Sequence, residues 1–334
     1  MNTQPQIALD DLSLFGLREE PAISEQMIVN ENRLAENNEL ADRILKSVYW
    51  EADRDAAFNR YYKSNDFANT LKLLKIFSVA PDRPLVEIGG GSGFLSWALN
   101  RRGFSNLTLM EPNPHFITGT GYLRSREDSQ GIKIANSLEG FYESSTKFDT
   151  VVTRNCIHHF RNITYVASCI RQKMNTGGQW VVIREPYIES ATELYQFLQG
   201  HPYSQPYGIY EFGFPASYYC DSIELAGFKL KSVVPAGYAN SSLAQFSEER
   251  GRTLNRLGSK LTDTILKYAP STTVKLFRTE QAIRDLLNIH KSLFSKPQVM
   301  VFERVELGEL PENAIWYRPS ALPDIDLKDQ RTAA

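Results

Sequence analysis

Cysteine is scarce. The three cysteines in 334 residues, Cys156, Cys169 and Cys220, are too few and too widely spaced for a disulfide framework or a cysteine-built zinc site. A basic excess is missing as well. Lys and Arg number 37 against 39 Asp and Glu, a formal charge of −2, so the chain lacks the overall positive field that draws nucleic acid. No apolar run approaches the roughly 20 residues that span a bilayer. The polar opening, residues 1–6, has no charged segment leading into an apolar one. The expectations are a cytoplasmic protein with neither nucleic acid nor membrane as partner. What is present is ordinary for a globular chain: 42% hydrophobic and 23% charged residues, enough to build a substantial core. The length fits one large domain or two modest ones.

The hydrophobic period divides the chain. From about residue 24 to 78 the text is helical, with Leu34, Leu40, Ile44 and Val48, then Phe58, Tyr61, Phe67, Leu71 and Leu74 at helix-like steps. Residues 1–80 are therefore expected to form a helical extension, either a packing layer or a cap over a ligand site. After Pro81 and Pro84 the period changes. Short apolar runs at 85–88, 107–111, 148–153 and 179–184 alternate with helical stretches, and 228–234 reads as a further strand. Buried strands alternating with helices predict an α/β, doubly wound, mostly parallel sheet. A helical stretch from about 240 to 295 then intervenes before a last strand at 298–303, as an insertion into the sheet domain of residues 81–310. Residues 311–334 form a polar, proline-containing tail.

The strongest local signal is Val86-Glu87-Ile88-Gly89-Gly90-Gly91-Ser92-Gly93. A strand that runs into Gly-x-Gly-x-Gly and opens a helix leaves bare backbone and free N–H groups at the carboxyl end of a sheet. Nucleotide-containing cofactors use such a place. A dinucleotide fingerprint wants a small residue three positions after its second glycine, for close helix–strand packing. Phe94 stands there, which disfavours a nicotinamide oxidoreductase. Glu87, two residues before the first glycine, suits a cationic ligand better than a pyrophosphate. Glu111, ending the next strand, is placed to accept both hydroxyls of an adenosine ribose.

These residues, together with Phe148-Asp-Thr-Val-Val ahead of a His-His pair and Gly-Gly before a fifth strand, resemble class I S-adenosylmethionine-dependent methyltransferases over roughly residues 81–235 and the last strand. The resemblance implies a seven-stranded Rossmann-like sheet with its final strand antiparallel, S-adenosylmethionine as cofactor and S-adenosylhomocysteine as product. Carried over residue by residue, Glu87, Gly89, Gly91 and Gly93 form the cofactor loop, and Glu111 is the ribose acid. Asn155 falls at the methionine end. Where the family has an acid near adenine this chain has Asn136 and Ser137, either of which could bond the ring. Asn155 is not followed by Pro-Pro-Tyr, so the likeness does not extend to enzymes that methylate base amines.

Methyl transfer requires an aligned nucleophile and, for a hydroxyl, a base. His158 and His159, two of only five histidines, follow strand four and are base candidates. Ordering the loop is their other reading. Glu185 ends strand five, facing the crevice or pairing with Arg184. The aromatic, proline-rich segment 201–215 suits stacking on sugars or planar rings, and the resemblance makes Glu211 its acceptor-side candidate. The helical insertion is a packing layer, a homodimer contact or a lid. No metal-ligand cluster stands out. The expectation is methyl transfer to a small molecule, at a hydroxyl of a sugar-containing or aromatic metabolite. An N-, C- or protein methyltransferase, or an inactive module that still binds S-adenosylmethionine, is the alternative.

Overall fold

The computed structural model describes residues 53–306, apart from 115, 117–118, 137–140, 142–143, 161, 201–212, 237, 239–255 and 288–295, together with residues 37 and 39. Two helices come first, α1 (Arg54–Lys63) and α2 (Asn65–Ile76). Ser64 separates them. Its hydroxyl accepts the Phe67 N–H at 3.1 Å, so it caps the start of α2. Strand β1 (Leu85–Ile88) leads through the glycine loop into α3 (Phe94–Asn100). There follow β2 (Leu107–Met110), α4 (Gly121–Ser125), β3 (Ile132–Ala135), β4 (Phe148–Arg154) and α5 (Ile163–Gln172). The chain continues through β5 (Met174–Ile183), α6 (Ala191–Gly200), α7 (Ala216–Leu225) and β6 (Phe228–Val234). Helices α8 (Arg256–Tyr268) and α9 (Pro270–Leu287) then precede β7 (Val299–Arg304).

The strands form one seven-stranded sheet in the order β3-β2-β1-β4-β5-β7-β6. The first five run parallel, and β7 is antiparallel to both of its neighbours. Parallel pairing forces each strand to be followed by a crossover, and those crossovers supply the helices on both faces. The sheet is the doubly wound architecture expected from the strand–helix alternation.

Each face carries its own core. On one, α5, α7 and Phe277 of α9 pack over Val86, Val151, Trp180 and Phe302. On the other, α1, α2 and α3, with Leu266 of α8, cover Leu85, Leu107, Val152 and Val301. Side chains alternate along a strand, so Glu87 shares the second face with Leu85, and Arg154 shares it with Val152. Both are buried, Glu87 against α3 and Arg154 against the two helices that precede the sheet.

Helices α8 and α9 lie against the β6 edge, and Thr273 of α9 closes part of it. Its hydroxyl accepts the Val233 N–H at 3.0 Å and donates to the Pro270 carbonyl at 2.7 Å. Several apolar residues that gave the insertion its helical period, Leu261, Leu276, Ile283 and Leu287, are exposed. Among the described residues the buried positions there are Thr262, Leu266, Thr273, Phe277 and Arg284, so these apolar residues mark the helices but not their buried face. Gly177 and Gly178 also differ from expectation. They lie within β5 rather than ahead of it, beside a register irregularity opposite Phe148 and Thr150. Gly177 has φ +73°, a conformation glycine adopts without cost at such a bulge.

Candidate active site

The glycine loop leaves β1 at the carboxyl end of the parallel strands. Gly89 and Gly93 have φ of +69° and +79°, and a Cβ on Gly89 would lie 2.3 Å from the Cys156 Sγ. Positive φ and lack of room both require glycine at Gly89. On Gly93 a Cβ would meet Leu123 at 2.5 Å. The loop is steadied from outside by Arg54, whose guanidinium donates to the Ser92 hydroxyl at 3.0 Å and lies over the rings of Phe58, Phe94 and Tyr122. Phe94 is buried against Phe58, with ring centroids 4.5 Å apart. The position that a dinucleotide fold keeps small is therefore used here to dock α1 on α3.

A cavity opens under this loop, with about 500 Å³ of space reaching out to solvent. Its wall is made by Tyr61, Glu87, the glycines 89–91, Arg154 and Asn155. Glu87 is buried, and its Oε2 accepts both the Ser96 N–H at 2.9 Å and the Ser96 hydroxyl at 2.5 Å. Burial raises its pKa, against the pull of those bonds and of Arg154. A Cβ on Gly90 would come within 2.7 Å of the Glu87 carboxyl carbon, so the carboxyl approaches bare backbone.

Glu111 follows β2 and is buried. Its Oε2 accepts the Gly91 N–H at 2.8 Å and its Oε1 the Asn113 N–H at 2.9 Å. Burial pushes its pKa up to about 7, although both N–H groups favour the carboxylate. The structure thus brings Glu87, Gly89, Gly91, Gly93, Glu111 and Asn155 together around one loop. Asn155 is exposed, with φ +46°. Asn136 is tied down differently. Its Nδ2 donates to the Glu111 carbonyl at 2.5 Å and to Thr120 Oγ1 at 3.0 Å, while its Oδ1 accepts from Arg124. The side chain thereby clips the ends of β2 and β3 to the turn before α4. Ser137 and Glu211 lie outside the described residues.

The two histidines sit on a short 3₁₀ turn after β4, Ile157–His159. Glu185, two residues past β5, accepts the N–H groups of Cys156, Ile157 and His158 at 3.0, 3.2 and 3.2 Å. Its Oε2 also lies 2.8 Å from His158 Nδ1. Glu185 thus serves the turn. Burial raises the Glu185 pKa to about 7, against the three backbone donors. His158 is buried, whereas His159 is half-buried with its ring centroid 3.9 Å from that of His158. Neither histidine lines the cavity.

Sequence reasoning missed Tyr61 and Arg154 of this wall, and Asp66 behind it. Arg154 closes β4; its Nη1 donates to the Tyr61 hydroxyl at 2.7 Å, and its Nη2 pairs with Asp66 of α2. Asp66 and Arg154 are separated by 88 residues, so only the fold brings them together. The local signal was a charge at the end of an otherwise apolar strand.

Past β5, Tyr187 bridges to Phe214, whose ring stacks on Tyr218 with centroids 4.7 Å apart. Cys220, Asp221 and Glu224 of α7 come within metal-ligating reach of one another. Arg278 of α9 fills that place, meeting Asp221 at 2.8 Å and Cys220 Sγ at 3.2 Å and pairing with Glu224.

A family model described as a methyltransferase domain matches residues 54–233, more than half of the chain. The chain belongs to this methyltransferase family. As a family member it is an S-adenosylmethionine-dependent methyltransferase, and the match begins at α1, so the first two described helices fall within the family's unit. No curated protein matches the sequence. Among solved structures, the methyltransferase is similar to the chain from Haloferax volcanii solved in complex with a methyltransferase activator. That likeness has 13% identity and a TM-score of 0.44, over 75% of this chain and 96% of that one. It is also similar to the YcgJ protein of Bacillus subtilis, with 13% identity and a TM-score of 0.43 over 71% and 99% of the two chains. A third is an S-adenosylmethionine-dependent methyltransferase of Thermotoga maritima, with 14% identity and a TM-score of 0.40 over 76% and 96%. Among the described residues, no helix is long and apolar enough to cross a membrane.

Proposed function

We propose that the methyltransferase acts on a small molecule, at a hydroxyl of a sugar-containing or aromatic metabolite, with S-adenosylmethionine held at the glycine loop. The observation that carries the cofactor's placement is the Glu111 carboxylate fixed on the Gly91 N–H, beside backbone that no Cβ encumbers. Glu111 then meets the ribose hydroxyls, Glu87 and Asn155 face the methionine end, and Asn136 and Ser137 border adenine. When bound, the cofactor supplies a methyl group already activated by its sulfonium. The protein has to place the acceptor in line, exclude water and, for a hydroxyl, take up a proton.

The acceptor class rests on the aromatic surface beyond β5, where Phe214 stacks on the exposed Tyr218 beside the buried Tyr187. Rings with hydroxyl tips suit planar or sugar-like molecules. His159 is the candidate base and Glu211 the candidate acceptor-side group, while His158 acts through the turn it helps to hold.

Thermal unfolding in S-adenosylmethionine, S-adenosylhomocysteine or NAD at one millimolar-range concentration tests the cofactor. A ligand at a hundred times its Kd stabilises the native state by about 2.7 kcal/mol. Both S-adenosyl compounds should raise the midpoint and NAD should not. Labelled methyl transfer to a panel of phenols and glycosides tests the acceptor. Transfer to amines or to a protein side chain alone would replace the hydroxyl reading. His159→Ala and Glu211→Ala should lower kcat with the S-adenosylhomocysteine Kd unchanged.

A further inference from the structure

The helices α1 and α2 raise a question of charge. They bury Asp66 and Tyr61 against the sheet, both almost fully inaccessible, and aim them at Arg154. Burying a guanidinium and a carboxylate together is seldom the most stable choice for a core, since well-packed apolar residues do as well or better. An ion pair placed there therefore asks for another use. Arg154 also lines the cavity below the glycine loop, on the same sheet face as Glu87 of the neighbouring strand. The wall thus presents a guanidinium on β4 and a carboxylate on β1, with Asp66 behind the guanidinium. A ligand end bearing both an ammonium and a carboxylate complements both signs.

We propose that Arg154, held in position by Asp66 and Tyr61 of the two preceding helices, recognises the α-carboxylate of the cofactor's methionine end, opposite Glu87. This rests on the cofactor reading given above. A planar guanidinium with five donors can keep Asp66 and Tyr61 and still offer an N–H to a second carboxylate. Charge-assisted bonds of this kind are the strong ones in a site shielded from water. Arg154 is then a cofactor-binding residue, and Asp66 and Tyr61 are positioning residues. The helices before the sheet belong to the cofactor site rather than to a cover over the acceptor.

The test compares two stable probes on the full chain by calorimetric titration: S-adenosylhomocysteine and its decarboxylated counterpart, S-adenosyl-3-thiopropylamine. They differ only in the carboxylate. The unaltered protein should prefer the first by about ten- to a hundredfold, the worth of a charged hydrogen bond. In Arg154→Gln that preference should fall to about threefold or less, through weaker binding of S-adenosylhomocysteine alone, and Arg154→Lys should restore part of it. Asp66→Asn should narrow the preference without abolishing it, which a helix-docking role by itself would not do. Because Arg154→Gln strands Asp66, the double variant with Asp66→Asn removes both buried charges and guards against simple unfolding. Equal affinity of the unaltered protein for the two probes overturns the proposal, as does an unchanged preference in a folded Arg154→Gln variant. Failure of the cofactor reading looks different: neither probe then binds the unaltered protein, and both proposals fall together.

Discussion

His158 Nδ1 lies 2.8 Å from the Oε2 of Glu185, and the same carboxylate gathers three successive backbone N–H groups of the turn that His158 belongs to. One acid after β5 therefore organises the chain after β4. Glu185→Ala would leave those donors buried without an acceptor, at a cost of about 3 kcal/mol. His158→Ala removes one bond and should cost about half as much. Urea unfolding of the two variants measures the difference. If Glu185→Ala unfolds at the same midpoint as the unaltered protein, the turn is held by something else.

Glu111 gives the site a pH dependence. Its folded pKa is about 7, raised by burial from an ordinary 4.5. Near pH 6 the folded protein keeps a proton that the unfolded chain has released. The stability contributed by this group is therefore present below pH 4.5 and lost as pH rises towards 7, the reverse of a salt-bridged acid. Ribose hydroxyls donate to the ionised form. Affinity for S-adenosylhomocysteine should accordingly rise by up to about tenfold between pH 6 and pH 8. Titrations at both values check this, and in Glu111→Gln the rise should vanish.

Gly89 is the tightest point of the loop. Gly89→Ala places a methyl against the Cys156 sulfur at 2.3 Å and also holds a non-glycine residue at φ +69°. About 2–3 kcal/mol of stability should be lost. Pairing it with Cys156→Ala should return the steric part and leave the backbone part, of order 1 kcal/mol. No recovery in the double variant would mean that backbone strain accounts for the whole loss.

Thr273→Val keeps the shape and removes the acceptor of the Val233 N–H. The expected cost is about 1–2 kcal/mol, with faster hydrogen exchange at Val233. Protection at that amide unchanged in the variant would show the hydroxyl to be dispensable.

The sheet was legible because its signals are local. Leu85–Ile88, Leu107–Met110 and Phe148–Arg154 are apolar runs closed by turn residues, and Gly89 and Gly93 announce conformations that few other residues adopt. Glu111 was legible for the same reason, as an acid standing just past an apolar strand. Arg154 with Asp66, and Glu185 with the turn at 156–158, were not. Each partnership joins residues far apart in the chain, and one sequence holds no record of distance. The insertion misled for a different cause: Leu261, Leu276 and Ile283 keep a helical period yet face outward. Periodicity reports that a face is apolar, not what lies against it.

The place of β7 also governs the order in which the molecule can be built. It lies between β5 and β6 and is the last strand made. On the ribosome, the five parallel strands can assemble while β6, an edge strand, waits without its one sheet neighbour. It pairs only when residues 299–304 emerge and slot in beside it. Until then an apolar strand stands open to pairing with a strand of another chain, a hazard for late-completing sheets. Helices α8 and α9 are made during that interval. Thr273 meets the Val233 N–H from α9, so part of that strand is shielded before synthesis reaches the segment that finishes the sheet.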